Sequence, residues 1–198
     1  MIKMTDEEMA KPPEEQYVKT YIEELDKALN GGVPERDIVL VTGEPGTFKT
    51  SLVFYALYQQ AVREKKICWY ITLEQSAADL KRAVTDLGLD ISKIEMPILG
   101  EQDELFEELQ QDRTGKGKII IVDLSSVRTN EKILNDFATK TGQENADQGE
   151  KYVHYIQNLV SSLNKKGERN CDLLAIDSFA AVVALGNLDD DRKNPRQI

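Results

Sequence analysis

The chain has 198 residues, 40% of them hydrophobic and 30% charged, with 12 Gly and 6 Pro; that is enough for one domain with a sizeable core and too few breakers for a low-complexity or collagen-like chain. Its 25 Lys and Arg against 35 Asp and Glu leave a formal net charge of −10, which argues against gripping nucleic acid through a broad cationic face, because phosphate neutralisation dominates such affinity. No apolar run approaches the roughly 18–20 residues that span a bilayer, and the polar, acidic start lacks the apolar centre of a secretory signal, so the expectation is a soluble cytoplasmic protein without a membrane partner.

Residues 1–20 are polar and broken by Pro12-Pro13, and read as an N-terminal arm whose end Tyr17 and Tyr21 are placed to anchor. Ile38, Val39, Leu40 and Val41 form the first of four short apolar runs; the others are residues 67–73, 119–122 and 173–176. Each is apolar on both alternating faces, as expected of parallel strands covered by helices on either side. Helical spacing lies between them, at 50–64 (Leu52, Val53, Ala56, Leu57, Ala61), at 76–87 behind a Ser76 cap, and at 152–163 (Val153, Ile156, Leu159, Val160, Leu163). Strands alternating with helices predict an α/β fold with a parallel sheet.

Three stretches break the rhythm. The acidic run 101–112 carries Leu105, Phe106 and Leu109 and reads as a solvated helix. Residues 125–150 are mostly polar and read as a long connection. Residues 186–198 read as a polar tail or the start of a truncated segment, with three consecutive acids, Asp189 to Asp191, that point in different directions. Cys68 and Cys171 flank or lie in strand runs and read as buried free thiols. His154 has no neighbouring Cys or second His and reads as an ordinary helix residue, while Trp69 and Tyr70 read as core.

The strand at 37–42 runs into Gly43-Glu44-Pro45-Gly46-Thr47-Phe48-Lys49-Thr50, with a helix immediately after. Strand, Gly-rich loop, Lys-Thr and helix are the layout of a P-loop. Successive N–H groups at a helix start form an anion nest, and Gly43 and Gly46 let the backbone turn tightly. Lys49 would reach the β- and γ-phosphates, the Thr50 hydroxyl would coordinate Mg²⁺, and Ser51 would lie near the α-phosphate. Phe48 departs from the pattern, which has Gly before the Lys; its backbone is expected to avoid positive φ and its ring to point outward.

Glu74 follows the second strand, where a carboxylate faces the ligand crevice and would orient an attacking water. Capping the next helix is an equally good account of it. Asp177 after the fourth strand, or Asp123 after the third, has the form of a Walker B acid that holds Mg²⁺ or its water shell.

Residues 23–34, ending Asn30-Gly31-Gly32-Val33-Pro34 before the P-loop strand, resemble the leader of the KaiC-like ATPases of the RecA superfamily. Thr72-Leu73-Glu74-Gln75-Ser76 is similar to that family's segment after the second strand, where paired glutamates supply the base, and Ile176-Asp177-Ser178 resembles its Walker B ending. The resemblance runs from about residue 21 to residue 185 and implies a RecA-like core over that span. It further implies ATP and Mg²⁺ binding, homo-oligomers that are often rings with ATP between subunits, and protein partners. It assigns Lys49 and Thr50 to phosphate and metal, Glu74 to the base, and Asp177 rather than Asp123 to Walker B. Gln75 stands where a second glutamate is common. The family's fold continues past its Walker B strand into segments with trans-acting basic residues, so the reading is of a truncated or divergent short form.

The leading expectation is an ATP hydrolase that drives changes in assembly or signalling. The alternative is a nucleotide sensor that binds ATP or ADP with negligible turnover. A recombinase filament is disfavoured by charge, and self-phosphorylation is left open with no acceptor residue indicated.

Overall fold

Every second residue of the run 67–73 faces one side of a sheet and the intervening ones face the other, so a strand apolar throughout needs cover on both sides. The computed structural model, which describes residues 16–99, 115–125, 131–163, 171–178 and 180, supplies that cover. Strand β3 (Ile67–Thr72) is central and all six of its residues are buried. It pairs in parallel with β5 (Lys118–Asp123) on one side and β6 (Leu173–Asp177) on the other, and β4 (Ile98–Leu99) extends the sheet beyond β5. Among the described residues, the order β4-β5-β3-β6 is a four-stranded parallel sheet.

Helix α2 (Lys49–Glu64) and helix α3 (Ala77–Asp86) cover one face. Phe54, Leu57, Tyr58 and Ala61 from α2, with Leu80 and Val84 from α3, pack on Cys68, Tyr70, Ile119 and Ile121. The other face takes helices α4 (Glu131–Thr141) and α5 (Gln148–Leu163), which bring Leu134, Tyr152 and Ile156 onto Trp69, Ile71, Ile120 and Val122. Each large core side chain contributes roughly 1.5–3 kcal/mol by leaving water. Helices on both faces of a parallel sheet constitute the RecA-like α/β architecture expected.

Before the sheet, a two-stranded ribbon of β1 (Tyr17–Val18) and β2 (Val33–Pro34) flanks helix α1 (Glu23–Ala28). Side chains tie this leader to the far end of α2. Gln60 Nε2 donates to the Lys19 carbonyl (2.7 Å), the Tyr21 hydroxyl donates to Glu64, and Arg63 stacks 4.8 Å over the Tyr21 ring. Burial and the Glu64 hydrogen bond push the Tyr21 phenol up to about 12, so it remains a donor at neutral pH. Of the polar arm read over 1–20, residues 16–20 thus belong to this leader, and its earlier residues lie outside the described ones.

Two expectations are corrected here. The connection 125–150 contains α4, where Leu134 and Ala138 share one helical face and Phe137 packs edge-on against Tyr155 at 5.1 Å. Apolar residues four apart are enough to dock a helix, even among many polar ones. Residues 38–41 do not form a strand: they carry no regular secondary structure, with Ile38 99% and Leu40 71% exposed. Apolarity predicts burial, but a strand also needs a ladder for its N–H and C=O groups, and among the described residues this segment has none. The acidic run 101–112 and the tail 186–198 lie outside the described residues.

The exposed course of residues 38–41 makes a direct prediction. In hydrogen exchange their amides should exchange near intrinsic rates, while those of Ile119 to Ile121 in β5 are the slowest of the chain. Protection at 38–41 matching β5 would contradict this course.

Candidate functional site

The carboxyl ends of parallel strands converge at one edge of the sheet, and loops there face the ligand crevice. Register places Thr72 of β3 opposite both Asp123 of β5 and Asp177 of β6. Helix α2 starts at this edge, because Thr50 in its first turn donates from Oγ1 to Asp177 Oδ2 at 2.7 Å. The two residues are 127 positions apart, and only the stacking of α2 on the sheet brings them together.

The loop before α2 is shaped around Lys49. Its Nζ donates to the carbonyls of Gly43 (2.8 Å) and Glu44 (2.9 Å), while Thr47 closes a turn back to the Glu44 carbonyl through both its N–H (3.3 Å) and its hydroxyl (2.8 Å). A Cβ on Gly43 would sit 2.9 Å from Thr47 Oγ1, and Gly46 takes φ +80°, so both positions are closed to larger residues without rearrangement. Pro45 lies between them, and Ser51 follows Thr50 in the first helical turn.

Phe48 is corrected. It occupies the left-handed region (φ 60°, ψ 25°) as the residue immediately before α2, and its ring is 75% exposed. The chain needs a left-handed residue to swing from the loop into the helix, which is what Gly ordinarily supplies there. A bulky L-residue in this conformation costs about 1–2 kcal/mol, and the outward ring keeps the cost from being compounded by a clash. Phe48 also gives α2 no side-chain cap, and the first turn holds no acidic residue. The orphan N–H groups and positive end of a 16-residue helix therefore face the loop without a competing side chain.

The two candidate Walker B acids are used differently. Asp123 accepts from the Ala77 N–H (2.7 Å) at the start of α3 and from the Ser125 N–H (3.0 Å) and hydroxyl, so it caps a helix and a turn. Asp177 instead accepts from Thr50 and from the Tyr70 hydroxyl, at 2.6 Å. Burial, reinforced by the bond to Asp177, pushes the Tyr70 phenol far above its ordinary range. Tyr70 was read as core, and it is fully buried; its polar contact with Asp177 is the part that apolar patterning hides.

Glu74 lies beyond β3, exposed, and accepts from the Ser178 hydroxyl. It does not cap α3, since Ser76 accepts from the Asp79 N–H (3.2 Å) and fills that role. Gln75 is held through its backbone, its N–H and C=O both meeting Thr72 Oγ1. Ser178, the residue after Asp177, therefore links Glu74 to the end of β6, a contact no spacing in the sequence indicates.

Elsewhere the candidates are structural. Cys68 bonds weakly to the Leu57 carbonyl, and burial raises its thiol well above the ordinary range; Cys171 is pushed up to about 12 for the same reason. Both are free and unsuited to act as thiolates near neutral pH. His154 is half-buried on α5, and the described residues include no group of three His, Cys, Asp or Glu arranged to hold a metal. A cleft of about 530 Å³ lies in the leader between Lys19, Tyr21, Asp26 and Asn30, but Asp26 is already engaged by Thr20 and Tyr21.

This geometry agrees with what the chain resembles. Residues 18–193 match the KaiC ATPase family. The chain belongs to that family. It is 32% identical to a UPF0273 protein of Sulfurisphaera tokodaii over 119 residues, which are 60% of this chain and 42% of the relative. It is 36% identical to a UPF0273 protein of Methanocaldococcus jannaschii over 78 residues (39% and 32%) and 29% identical to the DNA repair protein RadA of Mycobacterium tuberculosis over 110 residues (56% and 22%). The chain thus spans less than half the length of these relatives.

The Phe48 backbone yields a test. Phe48→Gly should leave any nucleotide affinity unchanged or improved and thermal stability within about 1 kcal/mol, because relieved strain offsets added unfolded-state entropy. Phe48→Val, β-branched, should destabilise more. A tenfold loss of affinity in Phe48→Gly would mean that the ring itself contributes to the site.

Proposed function

We propose that this chain is an ATPase module that binds Mg-ATP on residues 43–51 and hydrolyses it slowly to change assembly or partner binding. The observation that carries the reading is the Thr50–Asp177 hydrogen bond beside an uncapped helix start. The donor set fits a hydrated Mg²⁺, because a hydroxyl and a carboxylate are hard oxygen ligands and Mg²⁺ keeps several waters. Gly43 and Gly46 leave backbone room for a phosphate that any Cβ at 43 would narrow.

Each residue then has a stated task. Backbone N–H groups of the loop and of the first turn of α2 hold phosphate oxygens. Lys49 exchanges its carbonyl contacts at Gly43 and Glu44 for phosphate oxygens and stabilises the charge that develops there. Thr50 and Asp177 hold the metal and its water, and the ion when bound neutralises charge on the transferred group. Glu74 orients the attacking water and accepts its proton, with Ser178 steadying one carboxylate oxygen. Copies of the chain associate, as members of this family often do, and nucleotide occupancy alters that association.

A second reading, a sensor with negligible turnover, is favoured by Gln75, which replaces the second carboxylate that the resemblance puts there, and by the engagement of Glu74 with Ser178. Variants separate the two. Lys49→Ala should abolish ATP binding and phosphate release. Glu74→Gln should keep Mg-ATP binding and lower phosphate release by roughly 10²–10⁴-fold. Normal hydrolysis by Lys49→Ala would refute the site, and binding without release in the unaltered chain would establish the sensor.

A further inference from the structure

Asp177 is held from two directions by one oxygen. Thr50 Oγ1, from the first turn of α2, and the Tyr70 hydroxyl, from the middle of β3, both donate to Oδ2, at 2.7 and 2.6 Å. Among the described residues Oδ1 receives no hydrogen bond. Tyr70 is fully buried, its ring tilted against Phe54 with centroids 5.6 Å apart, so it has little freedom to move. Its register neighbour on β6 is Ala175, two residues before Asp177. The small side chain of Ala175 leaves room for the phenol to lean along the strands toward the carboxylate.

A phenylalanine would fill this core position as well, and a buried hydroxyl costs free energy unless it is paired. The hydroxyl therefore requires an acceptor, and the acceptor it meets is the acid at the site edge. A carboxylate at a strand end otherwise rotates about two side-chain torsions and offers either oxygen. With Oδ2 engaged by Thr50 and by a ring locked in the core, that rotation is restricted and Oδ1 is left as the oxygen for a cation or its water.

We propose that Tyr70 is a positioning residue for the metal half of the site, its hydroxyl fixing the Asp177 carboxylate so that a divalent cation bound with nucleotide meets a preset oxygen. The inference rests on the nucleotide-site reading above. It predicts that Tyr70 sets the affinity for the cation and not the affinity for the nucleotide itself. Outer partners that orient metal ligands typically account for about 10–100-fold in metal affinity.

The test uses the full chain, a fluorescent non-hydrolysable ATP analogue and MgCl₂. In the unaltered protein, nucleotide affinity is measured first with EDTA and then as a function of Mg²⁺ concentration. Tyr70→Phe should match the unaltered protein in EDTA and require roughly tenfold more Mg²⁺ for its half-maximal effect. An unchanged Mg²⁺ midpoint in a folded Tyr70→Phe would overturn the proposal and leave the nucleotide site standing. No Mg²⁺ effect on the unaltered protein would overturn the site reading and this inference with it. Should Tyr70→Phe unfold, fluorotyrosine introduced at position 70 alone keeps ring and hydroxyl but alters donor strength. It should shift the Mg²⁺ midpoint without changing affinity in EDTA, and the absence of that shift would overturn the proposal.

Discussion

The hydrogen bond from Thr50 to Asp177 is the constraint around which the candidate site is organised. It joins the first turn of α2 to the last residue of β6, and it forms only if three conditions hold together. Helix α2 must lie on the sheet through Phe54, Leu57 and Ala61; β3 must sit between β5 and β6 in its observed register; and the loop must deliver the helix start to the carboxyl edge. Core packing thereby sets site geometry. Loss of volume under α2 would be felt at Thr50 as well as in stability, since close-packed interiors transmit strain.

The same edge shows how chemically similar residues are sorted by their neighbours. Asp123 and Asp177 end adjacent parallel ladders on either side of Thr72. Asp123 has both oxygens engaged, Oδ2 by the Ala77 N–H and Oδ1 by the N–H and hydroxyl of Ser125, whereas the two hydroxyls that reach Asp177 from α2 and β3 both bond Oδ2. The Thr50 hydroxyl can keep its proton on Asp177 while presenting a lone pair elsewhere. Of the two acids, Asp177 is therefore the one with an oxygen that receives no hydrogen bond among the described residues.

Much of this was legible beforehand because apolar alternation and helical spacing report burial directly. Three of the four sheet strands among the described residues, β3, β5 and β6, the helices on which Thr50 and His154 lie and the one that Ser76 caps follow from those patterns. The Gly-Lys-Thr spacing placed the loop residues before a helix, where they are found. Other features depend on contacts far apart in sequence. Nothing local to Tyr70 or Ser178 signals Asp177 or Glu74 as its partner. β4 escaped because two residues after Pro97 carry no period, and α4 because Leu134 and Ala138 are outnumbered by polar neighbours. Residues 38–41 misled in the opposite sense, since their pattern states that they are apolar and says nothing of whether a neighbouring strand is present. Phe48 misled because a steric preference was treated as a prohibition, whereas the turn into α2 imposes a left-handed residue and the side chain bears the cost.

The most direct test of the account is a calorimetric titration of the unaltered chain with ATP, with and without Mg²⁺, with phosphate release followed on the same samples. If Thr50, Asp177 and the 43–51 loop form one nucleotide site, ATP binds with one set of affinities, Mg²⁺ tightens that binding, and phosphate appears slowly and only with Mg²⁺. Absence of any binding heat, or binding that Mg²⁺ leaves unchanged, would contradict it.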